Sequence, residues 1–344
     1  MNEPVGIFFN SAGRLRSVWR FTIFGFAFLV AFVAFFLFVR FSMAFALSPA
    51  ANANVYESNW EFVLQGVMIL LVASLVGWLC GYALEDLPWR ALGWALHRGW
   101  ARDLLVGSLL GAAAMGVAVV IDIAVGGTRF ASAPSQSLGL VAQTFLTSAV
   151  IFLFGAAAEE ALFRGYPLQT LMRSWPLWVA ALPTSLLFAL VHLDNPNVGS
   201  AFAFAVVNTA LAGVWLAVAY ARTRSLWFAL GLHWSWNWTM GALFGLPVSG
   251  IRDLTPEPLL RAADHGPAWL TGGAYGPEGG AACTAALLLS TLFVWKTNMV
   301  AASEELKHFT DHENPRDAGT LSLTPPSASA FIETEDAHAA TRND

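Results

Sequence analysis

The chain has 344 residues, 56% of them hydrophobic and only 12% charged, with a mean hydropathy of +0.57. A soluble domain carries about 25% charged residues, so an ordinary soluble enzyme is excluded. The net charge of −5 comes with no basic patch, which argues against a nucleic-acid partner. Cys80 and Cys283 both lie inside apolar runs and read as small packed residues, not as a disulfide or a metal pair.

In chain order, eight apolar stretches are near the length that crosses about 30 Å of hydrocarbon as a helix. They cover residues 21–39, 62–83, 104–125, 138–158, 175–193, 198–220, 226–246 and 281–299. The "AFA" at 44–46 resembles a signal-peptide cleavage site, but the run before it exceeds the ~7–15 residues of such a signal. It is read as a retained span. Arginines cluster before the first span (Arg14, Arg16, Arg20) and after the second (Arg90, Arg98, Arg102), fourth (Arg173) and sixth (Arg222, Arg224). Positive charge favours the cytoplasmic side, so both termini are expected in the cytoplasm of a multi-pass cell-membrane protein.

The expected fold is all-α and polytopic, with about eight transmembrane helices. Its parts are a cytoplasmic segment over 1–20, N-terminal helices over 21–137, a core over 138–246, an outer loop and last helix over 247–299, and a disordered cytoplasmic tail over 300–344. The tail is polar and acidic and contains "TPPSASA". The loop at 247–280 is rich in Gly and Pro and is expected to form an irregular outer cap of unassigned chemistry. No internal repeat suggests the paired halves of many transporters.

Inside this apolar frame the stretch "GAAAEEALFRGYP" (155–167) places two glutamates and an arginine, where an unpaired charge costs several kcal/mol. On a helix Glu160 and Arg164 share a face and can pair, while Glu159 points about 100° away. Phe188 with His192 in "FALVH", and His233 with Asn237 in "HWSWN", are also spaced by four. Asp122 and Asn208 are further embedded polar residues, expected to act as interhelical glue or to line a crevice. "GSLLG" and "GALFG" suit close helix packing.

Taken in order, E-E-x-x-x-R (Glu159, Glu160, Arg164), F-x-x-x-H (Phe188, His192) and H-x-x-x-N (His233, Asn237) resemble the motif set of the CPBP family of intramembrane proteases. This is the CAAX-protease or Abi family, which includes CAAX prenyl protease 2. The resemblance covers 138–246 and implies an intramembrane endopeptidase acting on a membrane-associated or C-terminal, CAAX-like peptide or protein, with the lipid bilayer as its other partner. It implies that Glu159 activates a water, that His192 helps to position it, and that His233 and Asn237 supply hydrogen bonds to the oxyanion. Glu160, Arg164 and Phe188 are supporting. A carboxyl group in a low-dielectric cavity has its pKa raised toward neutrality, which suits a general base.

Two questions stay open. Glu159, His192 and His233 also make up the three-ligand set of a catalytic zinc site; a metal-free mechanism is favoured because Asn237 suits an oxyanion donor better than a zinc ligand. Simple counting also places Glu159 and His192 at opposite ends of their helices. Either Pro183 breaks the fifth segment, or the helix carrying Glu159 runs past residue 158. The competing functional classes are a proton-coupled transporter using the same Glu and His residues, and a non-enzymatic membrane scaffold or immunity protein. The substrate is expected from the bilayer or the cytoplasmic side.

Overall fold

The computed structural model describes residues 6–10, 13–48, 51, 55, 58–131 and 137–310. The expected disordered tail lies outside the described residues from 311 onward. Without water in hydrocarbon, a spanning chain satisfies its backbone polar groups internally, so long apolar runs become helices. Every one of the eight apolar stretches is helical. The helices are α1 (Ser17–Ala46), α2 (Trp60–Glu85), α3 (Trp100–Ala124), α4 (Leu138–Glu159), α5 (Tyr166–Met172), α6 (Leu177–Val191), α7 (Phe202–Thr223), α8 (Leu226–Trp238), α9 (Ala268–Thr271), α10 (Ala281–Lys296) and α11 (Glu304–Thr310), the eight stretches being α1–α4, α6–α8 and α10. The protein is an all-α, multi-pass membrane protein.

Five helical runs are long and apolar enough to cross a membrane: Ser17–Ala46, Trp60–Glu85, Trp100–Ala124, Leu138–Met172 and Val198–Thr223. The apolar helices Leu177–Val191 and Ala281–Lys296 are shorter. A count of eight crossings therefore does not follow from helix length.

Contacts between helix ends define two poles. At one pole Arg20 at the start of α1 and Arg173 after α5 both reach Glu85 at the end of α2. Arg102 at the start of α3 donates to the Met299 carbonyl beyond α10 (2.9 Å), and Arg222 at the end of α7 donates to the Thr297 carbonyl. This is the arginine-rich pole. Arg20 and Arg173, read from sequence as loop charges, are buried in an ion-pair network. Within the segment expected to be a disordered tail, residues 304–310 are helical and Leu306 is buried, because the apolar side chain has a protein surface to cover.

The opposite pole carries the 247–280 segment. Its strand β2 (Arg261–Asp264) pairs antiparallel with β1 (Thr128–Ala131), between α3 and α4. Asn197 Nδ2 donates to the Gly250 carbonyl, and the Gly250 amide donates to the Tyr275 carbonyl. Asn208, near the start of α7, donates to the carbonyls of Glu278 and Gly280 (2.9 Å each) and accepts from Thr284 of α10 (2.7 Å). An embedded asparagine thus satisfies loop carbonyls that hydrocarbon would leave unpaired.

The core between the poles joins α3, α4, α7, α8 and α10 through Met115, Phe152, Trp215, Phe228, Leu232 and Cys283. In "GSLLG" the glycines let backbones touch: a Cβ at Gly107 or Gly111 would lie 2.4 Å from the Phe228 carbonyl oxygen or 2.2 Å from that of Leu232. "GALFG" does not pack helix on helix. Gly241 faces Thr255 of the cap, and Gly245 turns the chain with φ +68°, a conformation that glycine adopts without steric cost.

Candidate active site

The helix carrying Glu159 does not stop there. After α4 the chain forms one π-helical turn, Glu160–Arg164, closed by the Gly165 amide on the Glu160 carbonyl (2.9 Å), and continues as α5. Helical structure spans Leu138–Met172, which places Glu159 well inside the run. Pro183 lies within α6 without ending it. The convergence left open by counting is therefore supplied by the longer helix, and α6 is unbroken. A π turn shifts the helical phase by one residue and is common beside functional groups.

Glu160 is fully buried and serves two partners through Oε1: Arg164 Nη1 at 3.2 Å and His233 Nδ1 at 2.8 Å. Arg164 is buried too; its guanidinium donates to the Gly213 carbonyl (3.4 Å) and lies 4.4 Å from the Phe188 ring centre. The Phe188 ring also packs on the rings of His192 (4.6 Å) and His233 (6.0 Å). Phe188 thus separates the buried cation from two imidazoles and fixes all three in place.

His192 caps α6. Its own amide bonds to the Ala189 carbonyl, so the Phe188 carbonyl, an orphan acceptor at the helix end, takes the imidazole Nδ1–H at 2.6 Å. A carbonyl only accepts, so the proton sits on Nδ1 and Nε2 is turned outward. That Nε2 is 4.0 Å from Glu159 Oε1.

His233 repeats the pattern from α8. Its Nδ1–H donates to Glu160, and its Nε2 is 3.5 Å from Glu159 Oε2. The two oxygens of Glu159 therefore each face one imidazole. The Glu159 side chain is 33% exposed, against 0% for Glu160, so the two adjacent carboxylates occupy different environments. Indole N–H groups of Trp234 and Trp238 donate to the Ala149 and Phe145 carbonyls of α4 (2.9 and 3.1 Å), aligning the two helices that bear the motifs. A second π turn, Thr239–Leu243, follows directly. Asn237, one turn beyond His233, makes no side-chain hydrogen bond among the described residues.

The reactive faces of these groups meet at one small cavity of about 80 Å³, to which the cap also contributes. Glu159, Phe188, His192, His233 and Asn237 line it, together with Asn208, Ser249 and Glu278. Glu160 and Arg164 lie behind the wall. Among the described residues no group of three His, Cys, Asp or Glu side chains is drawn together closely enough to hold a metal ion. The sequence reading missed Glu278 and Ser249, which come from the cap. No spacing rule ties residue 278 to residue 159, and nothing in the sequence sets Glu278 apart from Asp253, Glu257 and Asp264 in the same loop. It also left Glu160 as a partner of Arg164 alone, without its bond to His233.

Residues 141–239 match the family model of the Rce1-like type II CAAX prenyl endopeptidases, and this window contains all seven motif residues. An uncharacterized 24.3 kDa protein of Escherichia coli is 33% identical over 107 residues, which is 30% of this chain and 46% of that protein. The match thus spans less than half of that relative's length.

Proposed function

We propose, for a chain that belongs through residues 141–239 to the Rce1-like family of type II CAAX prenyl endopeptidases, that it hydrolyses a peptide bond of a membrane-associated substrate with Glu159 as general base. The observation that carries this reading is the placement of Glu159 in the cavity, with an imidazole Nε2 facing each of its oxygens at 3.5 and 4.0 Å.

A water between Glu159 and His192 donates one hydrogen to the carboxylate and the other to the Nε2 lone pair, which aims its oxygen at the scissile carbonyl carbon. As the C–O bond forms, Glu159 takes the proton and charge gathers on the carbonyl oxygen. Asn237 Nδ2 donates to that oxyanion, as does His233 when Nε2 carries a proton. Collapse breaks the C–N bond, and Glu159 returns its proton to the leaving nitrogen. The products are a carboxylate and an amine.

Loop charge supports a cytoplasmic arginine-rich pole, with both termini on that side of a cell-membrane protein. The cap lines one side of the cavity through Ser249 and Glu278, and the substrate bond is read as arriving from the bilayer or from the cytoplasmic side.

The test is cleavage of prenylated and unprenylated fluorogenic peptides by the purified protein in detergent, comparing wild type, Glu159→Gln and His192→Ala. Glu159→Gln is expected to lower kcat about 10²–10⁴-fold with its unfolding temperature unchanged. Activity that survives both substitutions would sink the site. A chelator arm decides the chemistry: loss on chelation, restored by zinc, would assign Glu159, His192 and His233 to a metal instead.

A further inference from the structure

Glu278 is the one acidic side chain of the cap that faces the catalytic cavity. It sits in the tight turn Pro277–Gly279 and is held from two sides. Trp236 Nε1 donates to Oε1 at 3.3 Å. The Ser249 amide and hydroxyl donate to Oε2 at 2.7 and 2.8 Å. Ser249 takes φ +48° to do so, a left-handed conformation that few non-glycine residues adopt. Trp236 lies on α8, three residues beyond His233 and beside Asn237, so the hold on Glu278 is referenced to the helix that carries half of the site.

Three neutral donors fix this carboxylate, yet among the described residues it has no cationic partner. The rest of the lining does not supply one either: it contains Glu159 and no lysine or arginine. The contrast with Glu160 and Glu85 is direct, since each of those is paired with arginine. A carboxylate oriented by neutral hydrogen bonds retains acceptor capacity for a further donor, and a cation meets it in a low-dielectric enclosure where attraction is strong. A carboxylate needed only to anchor the cap could be replaced by an amide without changing the cavity's charge preference.

Resting on the protease reading above, we propose that Glu278 is a specificity-determining residue that receives a positively charged group of the substrate, an ammonium or guanidinium near the scissile bond. A lysine or arginine side chain and a free α-amine share this chemistry, and the experiment separates them.

The test uses the full chain in detergent with internally quenched peptides that differ at one position at a time, carrying Lys or Arg, Gln, or Glu, each with a free or an acetylated N-terminus. Wild type is expected to favour the basic over the acidic peptide at one position by about 10–100-fold in kcat/KM. Glu278→Gln should remove that preference while keeping turnover of the neutral peptide, and Glu278→Lys should reverse it. Loss of the preference on N-terminal acetylation would assign the charge to the α-amine; persistence would assign it to the side chain. Equal rates for all charges in wild type, or a uniform loss in Glu278→Gln, would overturn the proposal and leave Glu278 as a cap anchor.

A binding arm needs no turnover. Fluorescence anisotropy of the same peptides on Glu159→Gln, with and without Glu278→Gln, should show the basic peptide bound about tenfold tighter only while Glu278 is present. Charge-independent binding would overturn the proposal. A wild type that binds with this preference but cleaves nothing would instead overturn the protease reading and leave Glu278 as a cation-recognition residue.

Discussion

Two clusters of charge lie among the apolar helices, and they are built in opposite senses. At the arginine-rich pole Glu85 is shared by Arg20 and Arg173, the latter at 2.5 and 2.9 Å; the side chains are 0–2% exposed. Beside the cavity Glu159 and Glu160 share a single arginine, Arg164, which contacts Glu160. The first cluster has two cations for one carboxylate and is closed by packing. The second has two carboxylates for one cation, and the surplus carboxylate, Glu159, is the exposed one. A buried ion pair serves to fix helices when every charge is met. A carboxylate left over, with imidazoles on both sides and a cavity beside it, is the one the proposed hydrolysis uses as its base.

The comparison is broken most forcefully at Glu85. Glu85→Ala leaves two guanidinium groups buried without their shared counter-charge, which destabilises by roughly 3–5 kcal/mol. Unfolding in detergent is expected to show that loss, while kcat of the folded fraction stays at the wild-type value. Glu159→Gln should do the reverse. If Glu85→Ala removed turnover without lowering stability, the division between a structural and a reactive cluster would fail.

A smaller effect tests how rigidly the reactive cluster is held. Gly231 packs against α3 so closely that a Cβ would lie 2.4 Å from the Leu104 carbonyl oxygen. Gly231→Ala forces α8 away and is expected to cost about 1–3 kcal/mol. Because α8 also carries His233 and Asn237, turnover should fall with stability, unlike in Glu85→Ala. A stability loss with turnover intact would show that the site tolerates displacement of this helix.

The parts of this molecule that were legible in its sequence are those governed by local physics. Apolar runs become helices in lipid, so all eight were found. A spacing of four puts side chains on one face, so the pairs Glu160–Arg164 and Phe188–His192 were found as well. What escaped depends on distant residues. The π turn after Glu159 lies where Glu160 and Arg164 are held by His233 and Gly213 of other helices, contacts that local spacing does not reveal. Arg20 and Arg173 looked like loop charges because burial by another helix leaves no mark on the local pattern. Glu278 lies 119 positions from Glu159 in the chain, and only the docking of the cap brings it to the same cavity.

The smallest effect comes from a third kind of charge pair, at the surface of the arginine-rich pole. Arg90 Nη2 contacts Glu305 Oε1 of α11 at 2.5 Å, the distance of Arg173 from Glu85, but the side chains are 46% and 48% exposed. Water competes for both groups and holding them together costs side-chain entropy, so such pairs contribute about 0–1 kcal/mol. A double-mutant cycle with Arg90→Ala and Glu305→Ala should return a coupling in that range, shrinking further at 1 M salt. The same contact distance thus separates into a large effect at Glu85 and a negligible one at Glu305, with burial as the variable that differs. A coupling above about 2 kcal/mol here would mean that this surface is covered by something else in the folded membrane protein.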